Sequence, residues 1–134
     1  MYGIVGHLFS AVSHIYSRDS VFRRSKDMYR MAGYCRLSKE DGENRISESI
    51  ENQIRLISEY VDKAGDMKLV RMYIDDGYSG LYFSNRPQFQ QMMADIYKGE
   101  IQGVITKDIS RLGREHIETG NYIERVFPSL GIRY

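Results

Sequence analysis

Residues 34–38 read Tyr34-Cys35-Arg36-Leu37-Ser38. As an extended strand, this stretch sends alternate side chains to opposite faces. Tyr34, Arg36 and Ser38 then share one face, and Cys35 and Leu37 share the other. The first face sets a hydroxyl two residues from a guanidinium. The second is apolar and suits a core. Farther along, Arg111-Leu112-Gly113-Arg114 supplies two more guanidiniums. A serine hydroxyl with several arginines is a set that phosphoryl transfer can use without a metal. The hydroxyl attacks, and the guanidiniums neutralise charge on the equatorial phosphate oxygens.

Outward from this stretch, Tyr29 to Leu37 makes a first strand and Lys39 to Arg45 a polar loop. A helix follows from Ser49 to Ala64, with Ile50, Ile54, Ile57, Val61 and Ala64 in one apolar stripe. Ser49 suits the N-cap and Gly65 the C-terminal stop. Leu69 to Ile74 is a mostly apolar run, broken by Arg71, and reads as a largely buried strand. Asp75 to Asn85 reads as a long loop. Pro87 fits the first turn of a second helix with the stripe Phe89, Met92, Met93 and Ile96, stopped near Gly99. Gly103 to Ile109 reads as a third strand. Ile117 to Phe127 reads as a third helix closed by Pro128, and Ile132 to Tyr134 as the start of a fourth strand. Strands alternating with helices predict an α/β fold: a mostly parallel sheet flanked by helices.

The chain has 134 residues, 42% hydrophobic and 28% charged, which suits one globular domain. Its net charge of +1 means that any contact with nucleic acid rests on local clusters of arginine. A single cysteine, Cys35, excludes an internal disulfide and suits a reducing cytoplasm. Apolar runs are too short for a membrane span. Residues 1–28 stand apart from the rest and read as a loosely structured leader with a basic linker at Arg18, Arg23, Arg24 and Lys26. Residues 29–134 form the domain. His7, His14 and His116 follow no metal-ligand pattern.

Taken alone, each polar residue has a plain structural reading. Ser38 is a loop-entry serine at the carboxyl edge of the sheet, where open α/β folds bind ligands. Arg36, Arg111 and Arg114 are surface ion pairers, although Arg111 and Arg114, three apart, fit one helical turn aimed at one anion. Gly113 between them permits close backbone approach. Gln53 is an exposed helical amide, Asp76 a turn former before Gly77, and Arg86 a solvated charge. Cys35 is a small core residue.

The stretches Tyr34 to Ser38, Ser49-Ile50-Glu51-Asn52-Gln53, Asp76-Gly77-Tyr78-Ser79-Gly80, Arg86-Pro87 and Ser110-Arg111-Leu112-Gly113-Arg114 occur in this order. Together they resemble the catalytic domain of the serine recombinases, the resolvase/invertase superfamily, and within it the large transposon-type members. The resemblance covers about Tyr34 to Tyr134. It implies a resolvase-like, flavodoxin-like sheet, here ending at its fourth strand. It implies a DNA partner, self-association as a dimer or tetramer in a full-length protein, and no cofactor. It also implies that Ser38 attacks a DNA phosphodiester to give a 5′-phosphoserine link and a free 3′-hydroxyl. Arg36, Arg111 and Arg114 would clamp the phosphate. Tyr34, Gln53, Asp76 and Arg86 would support the site.

This chain departs from the family pattern in two ways. Many members carry Asp immediately before the Arg-Leu-x-Arg unit. Here that position is Ser110, and the acid is Asp108. If the third strand runs that far, Asp108 and Ser110 share a face, and which group deprotonates Ser38 stays open. The length also fits a fragment, without the oligomerising helix and DNA-binding region of family members. Two other readings remain: a non-catalytic remnant that at most binds recombinase subunits, and a flavodoxin-like domain for a small phosphate ligand. Gly42 alone in the loop after Ser38 argues against the second.

Overall fold

A computed structural model describes residues 28–38, 49–78 and 81–134. The readings of the leader, of the Lys39 to Arg45 loop, of Ser79 and Gly80, and of His7 and His14 lie outside these residues. Strand β1 (Tyr29–Leu37) has the bounds expected of it and lies at the centre of a parallel sheet ordered β2-β1-β3. Both of its faces are covered, so Tyr34 and Arg36 are as buried as Cys35. Cys35 is the core residue expected, and burial pushes its thiol up to about 12.

Helix α1 (Ile50–Ala64) follows its sequence signals closely. The Ser49 hydroxyl accepts from the Asn52 N–H, and Gly65 takes the left-handed conformation (φ 73°) that ends the helix. Its stripe packs with Met31, Cys35 and Met67 on one face of the sheet, although Ala64 at the far end is exposed.

Strand β2 (Met67–Asp76) is longer than the expected Leu69 to Ile74, and it is an edge strand. The pairing with β1 slips between Met31 and Ala32, leaving Val70 as an extra residue. Such a bulge switches the parity of the residues after it. Leu69, Met72 and Ile74 therefore pack toward α1, while Tyr73 belongs to the cluster on the opposite face and Asp75 is buried. Lys68, Val70 and Arg71 are exposed, which corrects the expectation of a largely buried strand.

A 3-10 turn, Phe83–Asn85, leads into α2 (Pro87–Tyr97). That helix buries Phe89, Met92, Met93 and Ile96 as its periodicity predicts, and Gly99 (φ 78°) follows its end. On this face the core is aromatic: Tyr34, Tyr73, Phe83, Phe89 and Phe127 cluster, with Tyr122 against them.

Strand β3 (Gly103–Ile105) pairs with only Met31, Ala32 and Gly33. The expected continuation to Ile109 does not form. Asp108 instead caps a short helix, α3 (Ile109–Leu112), by accepting from the Arg111 N–H. Helix α4 (His116–Asn121) runs through a π-helical stretch, Tyr122–Val126, into a last turn, α5 (Phe127–Ser129). Pro128 thus lies inside the last turn instead of closing it. The wider π turn sets Tyr122 and Phe127 on the same side, with their rings 5.8 Å apart. Arg133 then makes a single parallel bridge to Gly103, at the position expected of a fourth strand.

Candidate functional site at the carboxyl edge of the sheet

Because β3 is so short, the carboxyl half of β1 has a backbone partner on one side only. The side chain of Gln53 completes the other. Its Oε1 accepts from the Arg36 N–H at 3.2 Å, and its Nε2 donates to the Arg36 carbonyl at 3.1 Å. One amide thus does what a neighbouring strand does for the backbone. Gln53 is fully buried, and the expectation of an exposed helical glutamine is corrected. Arg111 Nη1 donates to the same Arg36 carbonyl at 3.0 Å.

Arg36 returns this bond. Its Nε donates to the Arg111 carbonyl at 3.2 Å, its Nη2 to the Ser110 carbonyl at 2.6 Å and its Nη1 to the Tyr78 carbonyl at 3.0 Å. Arg36 and Arg111 are both buried, and each holds the backbone that carries the other. They form an interlock between the end of β1 and the start of α3. Ser38, one residue past β1, is 6% exposed.

A second network lies beneath. The Tyr34 hydroxyl donates to Asp75 Oδ2 at 2.9 Å. The Asp75 carboxylate also accepts from the Gln88 and Phe89 N–H groups, at 3.0 and 2.9 Å, where α2 begins. That is a favourable position for a negative charge. Burial, with Asp75 close by, pushes the Tyr34 hydroxyl well above its ordinary value although Arg86 opposes the shift. Arg86 donates to the Leu112 carbonyl and lies 4.2 Å over the Phe83 ring. It is buried, not a solvated charge. Asp75 is the carboxylate that sequence reasoning missed. Asp76 is exposed at the end of β2, opposite Leu37. Past the bulge, strand alternation puts Asp75 on the side of Tyr73, and no residue of β2 signals the bulge itself.

The loop after β3 carries the remaining candidates. Arg111 lies in α3, but Gly113 is extended (φ −173°), so Arg114 falls outside that helix and is exposed. The two arginines therefore do not share a helical turn. Gly113 does make a close approach, but to protein: a Cβ there would meet the Phe83 ring at 2.7 Å. Asp108 and Ser110 come together through the N-cap of α3 and not along a strand. Ser110 Oγ donates to Asp108 Oδ1. Burial pushes the Asp108 carboxyl up, but Ser110, Arg111 and Lys107 together outweigh it and hold it below the ordinary carboxylate range. Among the described residues, no three His, Cys, Asp or Glu side chains are grouped to hold a metal. None of the described helices is long and apolar enough to cross a membrane.

Residues 31–133 match the family model described as Resolvase, N terminal domain. No curated protein matches the chain. Among solved structures, the chain is similar to the N-terminal catalytic domain of TP901-1 integrase, at 27% identity and TM-score 0.67. That match covers 77% of this chain and 72% of the other. It is similar also to the C-terminal catalytic domain of ISC1926 TnpA, an IS607-like serine recombinase (27% identity, TM-score 0.63, covering 78% of this chain and 66% of that one). A third is the first open reading frame in transposon ISC1904 from Sulfolobus solfataricus P2 (26% identity, TM-score 0.56, covering 78% and 64%).

Proposed function

The chain belongs to the Resolvase, N terminal domain family as a serine recombinase catalytic domain, and from that premise we propose that Ser38 is the nucleophile of a DNA strand exchange. Ser38 Oγ attacks a backbone phosphorus. The new P–O bond replaces the bond to the 3′ oxygen, which leaves as a hydroxyl after taking a proton, while Ser38 loses its own. The product is a 5′-phosphoserine. Energy kept in that ester lets rejoining run as the reverse displacement, so the exchange calls for no nucleotide.

The observation that carries this reading is the interlock of Arg36 with Arg111 at the end of the strand that leads into Ser38. Buried guanidiniums fixed before substrate arrives need little reorganisation as charge develops on phosphate. Arg114, exposed on the same loop, is the third cation of the clamp. Arg86 and Tyr34 act one layer below, holding the Leu112 carbonyl and Asp75. Ser38 is buried in this structure, so attack requires that DNA gain access to its hydroxyl. The domain is proposed to fold without residues 1–28, so limited proteolysis should trim the chain to near Tyr29. Protection of residues 5–20 would show instead that the leader packs on the domain.

The test is covalent trapping on nicked duplexes drawn from DNA flanking the gene, in which the released 3′ end diffuses away. A denaturation-resistant adduct should form and vanish in Ser38→Ala. Arg36, Arg111 and Arg114 changed singly to Ala should each lower the adduct rate by about 10²-fold or more. An adduct that survives in Ser38→Ala assigns the nucleophile elsewhere.

A further inference from the structure

Asp108, Ser110 and Arg111 form a hydrogen-bonded row, of which the reaction as written uses only Arg111. The Ser110 hydroxyl donates to Asp108 Oδ1. It accepts from Arg111 Nε and from Arg111 Nη2, each at 3.3 Å. A hydroxyl has one donor and two acceptor sites, so Ser110 is fully engaged. Arg111 Nε and Asp108 Oδ1 are themselves 3.7 Å apart, too far for a hydrogen bond. The carboxylate and the guanidinium thus sit at ion-pair distance, and the serine supplies the side-chain hydrogen bonds that link them. At its far corner, Arg111 Nη1 is fixed to the Arg36 carbonyl at 3.0 Å.

A carboxylate paired directly with this guanidinium would occupy the donors that a phosphate uses and cancel much of the charge. A neutral hydroxyl placed between them holds Nε and Nη2 in place without adding a second negative charge. We propose that Ser110 is a positioning residue: it couples the Asp108 carboxylate to Arg111 and so fixes the plane in which that guanidinium meets the phosphate. This inference rests on the reading of Arg111 as a phosphate contact, but its geometric part can be tested without DNA.

The first measurement follows the Arg111 Nε–H by nuclear magnetic resonance in the full chain. The charged and titratable groups facing Asp108 are Arg111, Lys107 and Tyr134. Only Asp108 changes protonation in the acidic range. In the native chain the resonance should be protected from exchange and should shift as acid protonates Asp108. Ser110→Ala should abolish both behaviours, and Ser110→Thr, which keeps the hydroxyl, should retain both. An unaltered Arg111 resonance in Ser110→Ala overturns the proposal. Should that variant fail to fold, Asp108→Asn decides: a protected resonance that no longer follows pH supports the coupling, and one that still follows pH refutes it. The second measurement is the Ser38 adduct. Ser110→Ala should slow it about ten-fold while Ser110→Thr stays within about three-fold. Equal rates for the two variants overturn the positioning role. An adduct that persists in Ser38→Ala defeats the nucleophile assignment and leaves the resonance result standing.

Discussion

The two halves of β1 are built differently on the side away from β2. In the amino half, Met31, Ala32 and Gly33 pair with β3 along the backbone, and a side chain, the Gln102 amide, takes part at Arg30. In the carboxyl half that partner is gone, and the amide of Gln53 and the guanidinium of Arg111 satisfy Arg36 instead. The β2 side shows no such break, since its register runs on to Leu37 and Asp76. Backbone pairing tolerates most side chains, whereas side-chain pairing demands particular ones. The fold gives up sequence tolerance where β3 stops, and gains a gap through which charged groups reach the end of the central strand.

This contrast is open to direct attack, and the largest effect is expected at Asp75. It stands opposite Arg36 in the register of β2 and holds the Tyr34 hydroxyl and two N–H groups of α2. Asp75→Ala strands two buried donors and one part-buried donor and should cost about 3 kcal/mol in urea unfolding. A cost under about 1 kcal/mol would mean that water replaces the carboxylate and that this end of the sheet is wetter than it appears.

Gln53→Leu is the sharper test of the comparison itself. Leucine is close to glutamine in size but cannot hydrogen-bond, so the buried Arg36 N–H is left without its acceptor. The expected cost is about 2 kcal/mol. On the same helix, Ile57→Val removes one methylene from the adjoining core and should cost about 1 kcal/mol. If Gln53→Leu costs no more than Ile57→Val, the amide is not standing in for a strand.

A smaller effect is expected at Asp95, where α2 meets β2. The Tyr73 hydroxyl donates to its carboxylate at 2.6 Å. That bond, joined by Gln91, Lys98 and Arg71 and opposed by burial, holds the carboxyl below the ordinary range. A carboxyl depressed in the fold stabilises it above the unfolded value, near pH 4, and loses that contribution as acid protonates it. Stability should therefore fall through the acid limb in the native chain and fall less in Asp95→Asn. Parallel curves between pH 3 and pH 7 would exclude Asp95 as a source of acid sensitivity.

Most of the fold is legible in the residues, and the reasons for the exceptions are physical. The bounds of β1, the caps of α1 and the stripe of α2 are local properties, set by alternation, a serine hydroxyl, a glycine and a helical period. The exceptions are not local. A glutamine in a helix looks exposed until the shortness of β3 is known, and that shortness accompanies Asp108 capping a helix where the strand is expected to continue. The bulge at Val70 decides that Asp75, not Asp76, turns inward, yet nothing in Leu69 to Asp76 announces it. At the site, Ser38, Arg36 and Arg111 could be singled out because a hydroxyl and guanidiniums have recognisable chemistry. Their interlock could not, since it is made through carbonyls that every residue carries. The spacing of Arg111 and Arg114 fits one helical turn, and the extended Gly113 breaks it.

The smallest expected effect comes from Arg55, two residues from Gln53 on the opposite side of α1. Its guanidinium donates to Glu59 at 3.2 Å and to Asn52 at 2.7 Å, so it too is held by side-chain hydrogen bonds. Both members of the ion pair are at least half exposed. Water competes for every one of these groups in the folded and unfolded chain alike, and salt screens the charges. Removing the side chain strands nothing, because solvent takes its place at once. Arg55→Ala should change stability by under about 0.5 kcal/mol, and by less still in added salt. Set beside Gln53→Leu on the same helix, it separates the number of hydrogen bonds from their location. A loss at Arg55 as large as that at Gln53 would mean that α1 is held by its own surface pairs and not by its grip on β1, and the carboxyl half of β1 could no longer be understood as a strand completed by side chains.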